Sequence, residues 1–222
     1  MNTARRVMIA TPTLDGRLDH RYVLAMVASI QRLRESGWRY ALAFEVGNSL
    51  LADARNKLVL QCLAGEYTDL VFIDSDMAWD PADLVALLSY DVPLVAAAGP
   101  RKNPGGLEFC VKLGKAAMGS DGLLSVERVG TGFMRVRRDC LERLVAAHPE
   151  LRVSDAAGHA YHALFDGGVR DGVYISEDYM FCERWRALGG KVLVAPGIRL
   201  QHVGTHVWHG ALADALTVRK TV

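Results

Sequence analysis

Between Arg6 and Gly99 the chain alternates short apolar runs with stretches of helical period, a pattern that few topologies can satisfy. RVMIA (Arg6 to Ala10) stops at the Thr/Pro/Asp/Gly cluster TPTLDG and reads as a buried strand ending in a loop. HRYVLAMVASIQRLRESG then carries apolar residues at helical spacing and ends at Gly37, a glycine placed for a helix C-cap. YALAFEV (Tyr40 to Val46) is strand-like, LLADARNKLVLQCLAG has helical period and ends at Gly65, and DLVFID, PADLVALLSY and VPLVAAAG continue as strand, helix and strand. Parallel strands need crossover connections that helices usually supply. The expectation is therefore an α/β fold: a Rossmann-like, doubly wound, mostly parallel sheet flanked by helices in a single domain. Ligands of such sheets sit at the carboxyl ends of the strands, where TPT, EVGN and DSD fall.

The second half is less regular. PRKNPGGLEFCVKLGKAAMGSDG is rich in glycine, lysine and turn residues, and LLSVERVGTGFMRVRR is predicted as one strand. A helix over DCLERLVAAH is expected with Asp139 as its cap. Ser154 to Asp171 is expected to be an irregular loop or lid. SEDYMFCERWRALGG reads as a helix opened by Ser176, and KVLVAP as a last strand. No internal repeat interrupts the 222 residues.

Charge excludes one class of function. With 26 basic and 25 acidic residues the net charge is +1, so no polyelectrolyte field is available to hold nucleic acid, and a charged ligand must be met locally. The four cysteines, Cys62, Cys110, Cys140 and Cys182, form no C-x-x-C pair and read as free thiols of a reducing compartment. No apolar run approaches the length of a transmembrane span or a secretion signal, so a cytoplasmic protein is expected.

The stretch VFIDSDMAWDP drives an apolar run into two aspartates. Asp80-Pro81-Ala82-Asp83 is a helix start, with Asp80 as N-cap and Pro81 in the first turn, and this leaves Asp74 and Asp76 without a capping role. Two carboxylates spaced i, i+2 at the mouth of a strand are costly unless a cation or strong donors neutralise them. Hard oxygen ligands of this kind suit Mg²⁺ or Mn²⁺, above all when a diphosphate supplies further oxygens. Taken alone, Asp-x-Asp is a weak signal.

Its neighbourhood sharpens the reading. ADARNKLVLQCLAGEYTDLVFIDSDM resembles the donor-binding half of GT-A glycosyltransferases of the family 2 type, in which an Ala-Arg-Asn helix leads to a strand ending in Asp-x-Asp. ISEDYMFCERWRALGGKVLVAPGIRLQHVG resembles the acidic catalytic motif of the same enzymes, a Glu-Asp pair opening a helix that is followed by a strand and a His. GTGFMRVRR resembles their Gly-rich strand, where absent side chains let a ligand approach.

The resemblance implies a metal-dependent glycosyltransferase that moves a sugar, with inversion, from a nucleotide-diphosphate sugar to a hydroxyl acceptor. A UDP-sugar is the first choice of donor, and the acceptor is unspecified. Residues 1–98 would form the nucleotide-sugar half and 99–222 the acceptor and catalytic half. Asp76 would bind Mn²⁺ or Mg²⁺ directly, Asp74 would hold the metal through water or the donor ribose, and His202 would be the third metal-side ligand. Asp178 would be the general base, with Glu177 second in line. Thr11, Pro12, Thr13 and Ser75 would line the nucleotide pocket with Arg55 nearby, and Gly132 would make room for the sugar. The family often grips the base with an Asp-containing turn after the second strand; here only Glu45 or Asn48 stands in that place.

Other readings of the same residues stay open. Glu177 and Asp178 also suit the first turn of any helix, and Arg101 and Lys102 are either phosphate-neutralising or ordinary surface charges. His202, His206 and His209 have spacing that would interest zinc on a helix, but Gly204 interrupts it. A haloacid-dehalogenase-type phosphatase places Asp-x-Asp on its first strand, not its third. A nucleotidyltransferase would need a Gly-rich basic loop at the N-terminus, which is missing. A catalytically silent sugar- or nucleotide-binding module is the remaining alternative. The Gln-x-x-Arg-Trp motif of processive polysaccharide synthases is also missing, which argues against polymer synthesis with export.

Overall fold

The computed structural model describes residues 5–218; the outermost residues of the expected 1–222 domain, 1–4 and 219–222, lie outside the described residues. The first half follows the alternation read from sequence: β1 (Arg6–Thr13), α1 (His20–Glu35), β2 (Arg39–Val46), α2 (Leu51–Ala64), β3 (Asp69–Ile73), β4 (Met77–Trp79), α3 (Pro81–Ser89) and β5 (Leu94–Ala96). Local chemistry sets the boundaries. Gly37, just past α1, takes φ 75°, a conformation open to glycine at little cost. Asp80 Oδ1 accepts the Ala82 amide at 2.8 Å and Pro81 follows at the first helical position, so α3 starts where the sequence places it.

The second half departs from expectation. The strand predicted over LLSVERVGTGFMRVRR is three strands, which follow β6 (Val111–Lys112) and β7 (Ala117–Met118): β8 (Leu124–Val126), β9 (Arg128–Val129) and β10 (Phe133–Arg137). Each has different partners, β9 pairing with β6 while β10 pairs with β3 and β5, so the chain must break direction between them. Helix α4 (Arg138–Ala147) begins before Asp139 and leaves that residue in its first turn, not at the cap. The Arg138 amide still donates to Thr68 O at 2.9 Å, which carries the strand directly into the helix.

The predicted irregular lid holds two hairpins, β11 (Arg152–Ser154) with β12 (Ala160–His162) and β13 (Gly168–Arg170) with β14 (Val173–Ile175). The second closes through Asp171 and Gly172, both at positive φ, the two-residue Asp-Gly turn that matches strand twist. The chain ends with α5 (Glu177–Ala187), β15 (Val192–Val194), β16 (Arg199–Val203), β17 (Val207–Ala211) and α6 (Leu212–Val218).

The central sheet has eight strands in the order β2-β1-β3-β10-β5-β15-β8-β7. Its strands run mainly in one direction, with β10 antiparallel to both neighbours and β8 antiparallel to β15. Because β10 lies between β3 and β5, strands from both halves of the chain share one sheet. One apolar cluster joins the sheet to α2, α4 and α5 and the other joins it to α1 and α3, giving three layers. A smaller sheet, β17-β16-β4, stands at the carboxyl end of β3. Among the described residues no helix is long and apolar enough to cross a membrane.

Candidate active site

β3 ends at Ile73, and the next residue, Asp74, opens a cavity of about 190 Å³. Arg55, Glu177, Asp178, Gly132 and His202 line it with Asp74, so residues from both halves meet at the strand ends. Larger clefts of 420 to 630 Å³ exist elsewhere, but they do not hold this combination of carboxylates.

Arg55 ties the floor together. It is 3 % exposed on α2, its Nη2 donates to Asp74 Oδ1 at 3.1 Å, and its Nη1 donates to Glu177 Oε1. One guanidinium thus neutralises two partly buried carboxylates. The neighbouring residue does different work: Asn56 donates to Phe165 O at 2.7 Å and accepts the Phe165 amide at 2.8 Å. Phe165 stacks on Phe181 of α5 with centroids 4.2 Å apart, so the Ala-Arg-Asn run pins the lid segment as well as the carboxylates.

Glycine makes space for this arrangement. A Cβ on Gly132 would lie 3.1 Å from Asp74 Oδ2, and one on Gly130 would lie 3.0 Å from Cys110 Cβ and 3.5 Å from Asp178 Oδ2. Asp178 Oδ1 accepts from the Ser176 hydroxyl and, at 2.7 Å, from the Tyr179 amide. Its other oxygen is left facing the cavity beside Gly130. The Ser176 hydroxyl, expected to open the helix, makes no capping bond and is diverted to Asp178.

Asp76 sits in a second cluster. Its Oδ2 accepts from Lys102 Nζ at 2.6 Å, and its Oδ1 lies 3.5 Å from His202 Nε2. Burial alone would raise its pKa, but the hydrogen bonds from His202 and Lys102 outweigh that and hold the carboxyl at about 2. Strand pairing brings the two together, since His202 registers with Met77 and the Val203 amide donates to Asp76 O at 2.8 Å. His202 Nδ1 is 2.8 Å from Pro100 O, a contact that orients the ring and turns Nε2 toward Asp76.

A metal can be weighed against these groups. Among the described residues no cluster of three or more His, Cys, Asp or Glu side chains is arranged to hold an ion. Asp74, expected to join Asp76 and His202, is paired with Arg55. Of the expected ligands only Asp76 and His202 stand together, 3.5 Å apart, with Lys102 on the other oxygen of Asp76; they could supply two ligands to a divalent cation, and the rest would have to come from outside these side chains.

The nucleotide side is less concentrated. β1 continues past its last register pair with β3, Ala10 with Phe72, so Thr11, Pro12 and Thr13 flank the end of β3 and are all buried. Their hydroxyls are already engaged: Thr11 Oγ1 is 2.6 Å from Tyr22 OH, a phenol pushed up to about 12 by burial, and Thr13 Oγ1 donates to Arg17 O at 3.0 Å. Ser75 is half-buried, with its carbonyl accepting the Asp19 amide at 3.1 Å. Glu45 lies 3.8 Å from Lys57, beside a network in which Asp53 accepts from Asn48 Nδ2 at 2.7 Å and from Tyr161 OH. None of these residues lines the small cavity.

Lys102 on Asp76, Asn56 on Phe165 and Tyr161 on Asp53 are contacts that sequence reasoning did not assign. The Ala-Arg-Asn motif contained the signal for Asn56, and the Asp-Gly pair contained the signal for the second lid hairpin.

Comparison with known proteins places this fold. No family model matches the sequence, and no curated protein matches it. Among solved structures, a Drosophila beta-1,4-galactosyltransferase 7 mutant in complex with manganese, UDP-Gal and xylobiose aligns over 97 % of this chain and 74 % of its own, with 14 % identity and TM-score 0.52. A protein from STIV aligns over 90 % of this chain and 86 % of its own, with 14 % identity and TM-score 0.53. A glycosyltransferase involved in the glycosylation of the major capsid of PBCV-1 aligns over 65 % and 66 %, with 13 % identity and TM-score 0.36. The chain has a GT-A-like fold.

Proposed function

We propose that the protein is a metal-dependent glycosyltransferase that transfers a sugar from a nucleotide-diphosphate sugar to a hydroxyl acceptor with inversion. The observation that carries this reading is the cavity itself, in which one oxygen of Asp178 is presented beside Gly130 while Asp74 and Glu177 are both held by Arg55.

Asp178 is the general base. Its Oδ1 is fixed by Ser176 and the Tyr179 amide, and Oδ2 takes the proton as the acceptor oxygen attacks the anomeric carbon. The bond from that carbon to the nucleoside diphosphate breaks on the opposite face, so a single displacement inverts the centre. Glu177, bound to Arg55, is a positioning group and keeps the guanidinium in place for Asp74. Lys102 and His202 place positive or polarisable groups where the departing diphosphate would gather charge. Asp76 and His202 would hold Mn²⁺ or Mg²⁺, which when bound stabilises the negative leaving group as a Lewis acid. A UDP-sugar is the first donor to try, its nucleotide lying along Thr11, Pro12, Thr13 and Ser75 with Glu45 toward the base.

The test is release of nucleoside diphosphate from a panel of nucleotide-sugars, compared between the natural protein and Asp178→Asn. Turnover of one donor that falls at least about 100-fold in the variant supports the proposal. Equal turnover in both proteins, or none with any donor, contradicts it.

A further inference from the structure

β2 is the outer strand of the eight-stranded sheet, and among the described residues nothing pairs with its free side. An unpaired edge of eight residues is a template for another strand unless proline, lysine or a bulge guards it. RYALAFEV contains none of these guards.

The strand is complementary to itself. Laid antiparallel on a second copy with Leu42 at the centre, it sets Arg39 opposite Glu45, Tyr40 opposite Phe44 and Ala41 opposite Ala43, while Leu42 meets its own copy. Directly opposed residues share a face of the sheet. Opposite charges therefore meet on one face, and aromatic and aliphatic side chains meet on the other.

The two faces are fixed by packing. Ala43 packs against the cluster that contains α2, whereas Tyr40 packs against the cluster that contains α1. By the period of two, Leu42, Phe44 and Val46 share the α1 face with Tyr40, and they remain 39 %, 41 % and 57 % exposed. Arg34 of α1 donates to Tyr40 OH at 2.9 Å, and Ile30, Val27 and Val23 follow Arg34 on the same helix face at the spacing of three and four residues. Val27 is 63 % exposed and Val23 42 %, so strand and helix present one apolar surface at the sheet edge.

We propose that the protein is a homodimer in which two β2 edges pair antiparallel about a twofold axis at Leu42, joining the two sheets into one. A twofold contact uses the same patch on both copies, and the symmetric order of charge and bulk about Leu42 is what such a contact needs. The α1 face of each copy covers the central Leu42 and Phe44 pairs. This inference is independent of the proposed transferase activity, and its readouts do not depend on turnover.

Light scattering after gel filtration of the full chain at micromolar concentration tests it, with twice the monomer mass expected. Leu42→Lys puts two like charges together on the axis and should give a monomer with an unchanged circular dichroism spectrum. Arg39→Glu and Glu45→Arg should each weaken the dimer at least about tenfold, and the double variant should restore it, because the charges then pair in reverse. Leu42→Cys should form an intermolecular disulfide on mild oxidation, since opposed strand positions lie within disulfide reach, whereas Phe44→Cys should not. A monomeric natural protein, a Leu42→Lys dimer or a Phe44→Cys cross-link equal to that of Leu42→Cys would overturn the proposal.

Discussion

The Arg55 guanidinium lies 3.1 Å from Asp74 Oδ1, although 19 positions separate the two residues and they sit on different elements. The same guanidinium reaches Glu177, so a single buried cation from α2 joins the end of β3 to the start of α5.

Removal of that cation would leave two partly buried carboxylates unpaired. Arg55→Met is expected to lower unfolding free energy by about 3 kcal/mol, as judged by urea denaturation. Adding Glu177→Gln to Arg55→Met should recover part of the loss, because one orphaned charge is then gone.

Gly132→Ala isolates the role of free space. Its Cβ would lie 3.1 Å from Asp74 Oδ2, close enough to move the carboxylate by a few tenths of an ångström. Turnover should fall roughly tenfold, with less than about 1.5 kcal/mol lost in stability. A variant as active as the natural protein would show that the position of Asp74 is not critical.

Ser176→Ala separates orientation of the proposed base, Asp178, from its chemistry. It removes one of two donors to Asp178 Oδ1 and leaves the Tyr179 amide in place. We expect kcat to fall by about tenfold, because the carboxylate loses one of the two donors that orient it. Asp178→Asn should fall much further.

Asp53 anchors the first lid hairpin through Tyr161. Burial would raise its pKa, but the bonds from Tyr161, Asn48 and Lys57 outweigh that and lower it from 3.8. A depressed folded-state pKa contributes stability that is full above the unfolded value and fades as pH falls through the folded one. Asp53→Asn should therefore be less stable than the natural protein at neutral pH, and the difference should shrink as pH drops below about 4. Hydrogen exchange across residues 152–162 should accelerate in Tyr161→Phe, and unchanged protection there would contradict the anchoring role.

The sequence shows the elements of the first half because local rules govern them. Asp80 and Pro81 start α3, Gly37 and Gly65 follow α1 and α2, and the apolar runs RVMIA and DLVFI lie in buried strands. The break of the predicted Gly-rich strand into three depended on partners far along the chain, which periodicity does not record. The cap expected at Asp139 failed for a similar reason, since the Thr68 carbonyl draws Arg138 straight from strand into helix. In the site, the two acidic motifs could be read from sequence, but their cationic partners could not. Arg55 reaches Glu177 across 122 positions, and Lys102 reaches Asp76 from a loop whose course no local signal fixes.

In the proposed transferase, Asp76 and His202 hold a divalent cation that in turn holds a nucleoside diphosphate. The most direct measurement is a thermal-unfolding panel of nucleoside diphosphates with and without Mn²⁺, run on the natural protein and on Asp76→Ala. One nucleotide should raise Tm by about 5 °C or more only when Mn²⁺ is present, and Asp76→Ala should lose that shift. No metal-dependent shift with any nucleotide, or the same shift in Asp76→Ala, would contradict the account.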